Sequence, residues 1–145
     1  MRTRRMHEVS GHATWVVVLE TGDEAMACLK RFAIEEGLDS TNFTAIGAFE
    51  RATLAYFDWE RKEYLPIPVD EQVEVASLTG DIVLGPDGTP VVHVHAVLGR
   101  RDGSALAGHL DSGFVRPTLE LVLTETPGFL RKQMDEDSGL PLIRP

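Results

Sequence analysis

"HVHAVLGRRDGSALAGHL", residues 93–110, decides how this chain is read. The sequence holds five histidines, and three of them, His93, His95 and His109, fall in this stretch. In a strand, residues two apart point to the same face, so His93 and His95 share a side. Val92, Val94 and Val97 sit mostly on the opposite side and supply core contacts. "GRRDG" then offers a hairpin, with Asp102-Gly103 as the turn signal. A three-residue loop of Arg101, Asp102 and Gly103 places Arg100 opposite Ser104 and His95 opposite His109. Directly opposed residues hold their Cβ atoms about 5 Å apart, and the diagonal neighbour, His93, lies about 7–8 Å away. A loop one residue shorter or longer would send His109 to the other face.

Outward from this hairpin the pattern stays strand-like. "EVASLTGDIVLGPDGTPVV" leads into it as strand, turn and strand, with Pro86-Asp87-Gly88 supplying the turn chemistry. "FTAIGAFERATLAYFD" predicts two strands, or one bent strand broken near Gly47 to Arg51. "SALAGHL" and "FVRPTLELVL" predict two more, and "ATWVVVLE" (13–20) is a continuous apolar run that predicts a buried strand. One segment has helical periodicity. Thr21 and Glu24 resemble a capping box, Ala25, Met26, Leu29, Phe32 and Ala33 recur at helical spacing, and Gly37 suits the C-terminal cap. "TPGFLRKQMDE" predicts a short helical turn, and "DSGLPLIRP" reads as an irregular tail over about 135–145. His7 and His12 fall in an N-terminal segment read as irregular.

The expectation is an α+β fold: a mostly antiparallel sheet, one main helix and a short C-terminal helix. The 145 residues make a single domain, 1–145, with its core over about 12–125, long enough to bury a substantial core without disulfides. Cys28 is the only cysteine, which excludes an intrachain disulfide and a thiolate cluster; inside the helix it reads as a small core residue. No apolar run approaches the roughly 20 residues that cross a bilayer. "MRTRRMHEVS" is basic but no apolar region follows it, so the expected location is cytoplasmic. The formal net charge is −9, whereas nucleic-acid binders draw affinity from basic faces.

A single histidine in a strand is ordinarily a half-buried polar residue. Three on one hairpin face read differently: neutral imidazoles gain little from one another, and protonated ones repel. Their separations suit one shared cation, with metal–nitrogen bonds of about 2.0–2.1 Å. Zinc leads, because imidazole suits it and three ligands leave a fourth position for water or a substrate oxygen; nickel, iron or copper could fill the same site. Hydrolytic or lyase chemistry is compatible with such a site. Glu120 shares a face with Thr118 and Val122. It is the candidate acid–base group or orienting partner of a histidine, against the plainer reading of a solvated side chain. Asp111 and Ser112 are candidates for the rim, and Arg100 and Arg101 for holding an anion, although turn residues of these types are most often loop caps or solvated charges.

With these residues in hand, "FTAIGAFERATLAYFD", "VEVASLTGDI" and "HVHAVLGRRDGSALAGHL…GFVRPTLELVL" resemble the prokaryotic branch of the plants-and-prokaryotes-conserved (PPC) domain family, also labelled PD1-like DNA-binding. The resemblance covers roughly residues 12–125, and its specific part is the histidine-bearing segment with Gly108-His109-Leu110. It implies a compact α+β domain that assembles as a homotrimer, and a metal site that maps onto His93, His95 and His109. Plant relatives join the domain to Arg-Gly-Arg AT-hooks, which this chain lacks. Three functional readings follow. One is a metal-binding enzyme or small-molecule sensor. The alternative is a DNA-associated regulator without an AT-hook. The third is an interaction scaffold whose histidines are replaceable.

Overall fold

The computed structural model describes residues 1–10, 12–126 and 130–144. Among these described residues nine strands and one helix follow in the order β1 (Arg2–Val9), β2 (His12–Glu20), α1 (Ala25–Glu36), β3 (Ser40–Asp58), β4 (Glu63–Val69), β5 (Val73–Leu84), β6 (Pro90–Gly99), β7 (Ala105–Glu125), β8 (Arg131–Met134) and β9 (Pro141–Arg144). They form one sheet in the order β1-β2-β7-β3-β5-β8-β9, with β4 on β3 and β6 between β5 and β7. Because β6 joins β5 to β7 while β3 also pairs with both, β3, β5, β6 and β7 close into a barrel-like ring. The described pairings are antiparallel except for a short parallel contact of β5 with β8 at Leu84 and Arg131. The expected α+β class with a mostly antiparallel sheet and one main helix is the class observed.

The long strands bend where the sequence changes period. β3 is one bent strand, with register shifts against β7 on either side of Phe49, and its bulge at Gly47 brings two backbones together. A Cβ on Gly47 would lie 2.7 Å from Leu119 Cα at φ +155°, so only glycine fits. "SALAGHL" and "FVRPTLELVL" belong to the single strand β7, not to two: its bulges let one strand follow β6, β3 and β2 in turn. In β2, Ala13, Trp15, Val17 and Leu19 are buried while the intervening face is half-buried, so this apolar run alternates and is not buried on both sides.

The helix lays Leu29, Phe32 and Ala33 on the core, with Phe32 edge-on to Trp15 at 5.3 Å between ring centres. Its cap differs from the expected Thr21–Glu24 box. Glu24 is itself the N-cap: its carboxylate accepts from Met26 N (3.1 Å) and Ala27 N (2.7 Å), and also from Gly113 N of β7 (3.0 Å). Gly37 closes the helix in the left-handed conformation, as its position predicts. Cys28 is a buried free thiol in the core.

Three expectations fail at the ends: the irregular start, the short C-terminal helix and the irregular tail over about 135–145, where Pro141–Arg144 form β9. The segment with His7 and His12 is not irregular: β1 pairs with β2 along its length. The short C-terminal helix is absent from the described residues. Residues 127–129 of that stretch lie outside them, and Arg131–Met134 form a strand paired with Pro141–Arg144 across a turn in which Asp135 caps Ser138. Pro141 hid this strand, but its place at the strand start keeps its missing N–H out of the ladder.

Candidate metal centre

The site begins with the loop between β6 and β7. Asp102 Oδ1 accepts from Ser104 N at 2.9 Å and from Ser104 Oγ at 2.6 Å, and Gly103 takes φ +85°. Arg100 N–H donates to Ser104 O at 2.8 Å, which closes a loop of Arg101, Asp102 and Gly103. The register therefore places His95 opposite His109, as the sequence predicts. Val94 is buried behind the histidines, but Val97 lies on the histidine side of β6 and is exposed, because its parity is that of His93 and His95.

The three imidazoles meet. Ring centres of His93, His95 and His109 are 5.1, 5.2 and 5.5 Å apart, and one ligand-capable atom from each lies within 4.8 Å of the others. A tetrahedral ion with 2.0–2.1 Å bonds separates its nitrogens by about 3.3 Å, so side-chain rotations suffice to close the set. Two further features fit a cation. His109 Nδ1 is buried without a hydrogen-bond partner, a cost that a metal bond would remove. Burial, followed by the charges of His93 and His95, lowers the His109 pKa to about 4, which keeps its lone pair available. Burial and His93 lower His95 in the same direction.

Asp81 of β5 pairs across the ladder with His93, and its Oδ2 lies 3.4 Å from His93 Nδ1. A proton on Nδ1 directed at this carboxylate leaves Nε2 free to ligate, the arrangement of an oriented metal-binding histidine. Asp81 Oδ1 forms a 2.9 Å ion pair with Lys132 Nζ, whose side chain is only 4% exposed; the geometry is that of a charge contact, without an aligned hydrogen bond. Burial raises the Asp81 pKa, but the His93 and Lys132 contacts outweigh it and hold the carboxyl below its ordinary value. Tyr64 of β4 covers His109, with ring centres 4.7 Å apart, and its own burial raises its pKa. These groups line a cavity of about 610 Å3, whose remaining wall is Val91 and Val92 with Leu140, Pro141, Leu142 and Ile143.

The other candidates lie elsewhere. Glu120 is exposed and lines a separate depression with Ile46 and Glu74. It is eleven positions along β7 from His109 and is not among the residues that line the histidine cavity, so nothing within one chain places it to orient these histidines. Arg100 is held by Glu71, 2.7 Å from Nε, at the far end of the hairpin. Asp111 and Ser112 are residues of β7 and not loop caps. Asp81, Tyr64 and Lys132 were missed. The Asp87-centred turn between β5 and β6 could have placed Asp81 opposite His93. Lys132 was hidden in a segment read as helical.

An α+β domain with imidazoles, a carboxylate and a buried lysine gathered at a cavity is the class that fold and site define. The match of residues 6–127 to the model of the Plants and Prokaryotes Conserved (PCC) domain makes the chain a member of that family. A plant- and prokaryote-conserved (PPC) protein of Pyrococcus horikoshii is 31% identical, with a TM-score of 0.84 and 91% of each chain covered. A protein of Archaeoglobus fulgidus described as metal-containing is 30% identical, with a TM-score of 0.83 and both chains covered fully. A protein of Bacteroides thetaiotaomicron, described as a candidate DNA-binding protein, is 29% identical with a TM-score of 0.86, covering 95% of this chain and 94% of that one. No curated protein matches the chain.

Proposed function

We propose that this chain is a metal-binding PPC-domain protein that holds zinc on His93, His95 and His109 and uses the remaining coordination position to sense or transform a small molecule. The observation that carries this reading is the convergence of the three imidazoles, with one ligand-capable atom of each within 4.8 Å of the others. When bound, zinc would act as a Lewis acid on an oxygen in its fourth position. Asp81 orients His93, Tyr64 packs against His109, and apolar side chains line the rest of the cavity wall. The Archaeoglobus fulgidus relative described as metal-containing supports the reading. Elemental analysis of the purified chain tests it: about one metal per protomer is expected, with loss in His95→Ala and His109→Ala. Undiminished metal in both variants refutes it.

The chain is proposed to act in the cytoplasm as a homotrimer. Among the described residues no helix is long and apolar enough to cross a membrane. Ile46 and Val122, 65% and 52% exposed, are large apolar side chains on the outer face of β3 and β7 that association would cover. A native mass of three times 16.0 kDa is expected, and a monomer refutes it. A DNA-associated role is the second reading, favoured by the name of the Bacteroides thetaiotaomicron relative. The net charge of −9 and the absence of Arg-Gly-Arg weigh against it; salt-sensitive binding to duplex DNA would establish it.

A further inference from the structure

The histidines line one part of the cavity, and another part of its wall is built by a segment beyond the family match. Leu140, Pro141, Leu142 and Ile143, in and beside the β8–β9 hairpin, share the cavity with Val91 and Val92. Leu142 and Ile143 are large apolar side chains left exposed there, 41% and 39%. The same hairpin brings in Lys132, and lysine is almost never so fully buried unless paired. Among the described residues Asp81 is its charged partner, and an ammonium carries three donors.

The charges around this cavity point to the sign of what it takes. Lys132 and Asp81 offset one another. A divalent ion on three neutral imidazoles then adds two positive charges beside an apolar wall, where an uncompensated charge is costly. An anion with an apolar body satisfies both parts of the wall. The described lining offers no arginine fork and no glycine-rich backbone cradle for the several oxygens of a phosphate. The lining includes one ammonium, Lys132, and one phenol, Tyr64, donors in number for the two oxygens of a carboxylate. The volume, about 610 Å3, lies within the range of small-molecule sites.

We propose that the cavity binds a small organic monocarboxylate, its carboxylate between the histidine-held metal and Lys132 and its hydrocarbon against Val91, Val92, Leu142 and Ile143. The inference rests on the metal reading above. Calorimetric titration of the full, zinc-loaded chain with acetate, butyrate and hexanoate tests it, with hexan-1-ol and inorganic phosphate as comparisons and zinc content measured in every sample. Affinity is expected to rise about threefold to fourfold per added methylene. Hexanoate should bind at least tenfold more weakly to Lys132→Met at equal zinc content. Should that variant not fold, the surface pair Leu142→Ser and Ile143→Ser keeps the test open, since it should flatten the chain-length dependence. Equal affinity for acetate and hexanoate, tighter binding of hexan-1-ol or phosphate than of hexanoate, or an unaltered titration in a folded variant overturns the carboxylate proposal while leaving the metal reading standing. A chain that takes up no zinc overturns the metal reading, and this proposal with it.

Discussion

Replacing Asp81 by asparagine keeps the shape of the side chain and removes a charge that two neighbours use. Lys132 Nζ lies 2.9 Å from one carboxylate oxygen and His93 Nδ1 3.4 Å from the other. The variant leaves Lys132 as a buried ammonium without its counter-ion. Breaking a fully buried pair in this way costs about 3–5 kcal/mol. Asp81 keeps 25% of its side chain in solvent, so screening lowers the figure to about 2–3 kcal/mol. For a chain of this length each kcal/mol shifts the melting temperature by about 2–4 °C, which predicts a fall of roughly 4–12 °C in scanning calorimetry of the metal-free protein. The same change frees the His93 ring, and loss of such an orienting carboxylate weakens metal binding by about 10–100-fold. The double variant Asp81→Asn with Lys132→Met removes both charges, so it should recover most of the melting temperature and none of the metal affinity. An Asp81→Asn protein that melts with the parent and binds zinc as tightly refutes this account of the lysine and the carboxylate.

Three further outcomes follow from the same geometry. Acid should destabilise the metal-free chain through His109. The unfolded imidazole takes up its proton near pH 6.5 and the folded one only near about 4, so the contribution is complete above 6.5 and is lost as pH falls to about 4. At about 1.4 kcal/mol per pKa unit the ceiling is about 3 kcal/mol, and partial exposure reduces it to roughly 1–2 kcal/mol. Urea unfolding of the parent and of His109→Asn at both pH values isolates this amount, and an equal acid sensitivity in the two contradicts it. Gly80→Ala should cost about 1–3 kcal/mol and loosen the site, because the new Cβ would lie 2.6 Å from Phe43 Cζ and against the His93 carbonyl; parent-like stability and zinc affinity would show that β6 yields freely. Glu120→Gln should leave zinc content and affinity unaltered, and a loss would bring Glu120 of a second copy to the histidines.

The hairpin was legible because its information is local. Asp102, Gly103 and Ser104 specify the loop, the loop specifies the register, and the register puts His95 opposite His109. The helix body and its glycine cap were legible for the same reason. Its N-cap was misassigned because Glu24 is held partly by Gly113, 89 residues away. What escaped the sequence depends on non-local pairing. The course of β7 past three partners is set by bulges that no residue spacing announces. Lys132 reaches the site through a hairpin whose strands are four residues each, too short for periodicity to reveal. Glu120 was drawn toward the site by chemistry alone, whereas its position on β7 leaves it out of the cavity lining.

X-ray absorption at the edge of the metal that the purified chain carries addresses the central claim most directly. Three imidazole nitrogens at about 2.0–2.1 Å and one further light scatterer are expected, with the imidazole shell reduced in His109→Ala. A shell of oxygens without imidazole scattering, or a spectrum indifferent to the loss of His109, would contradict it.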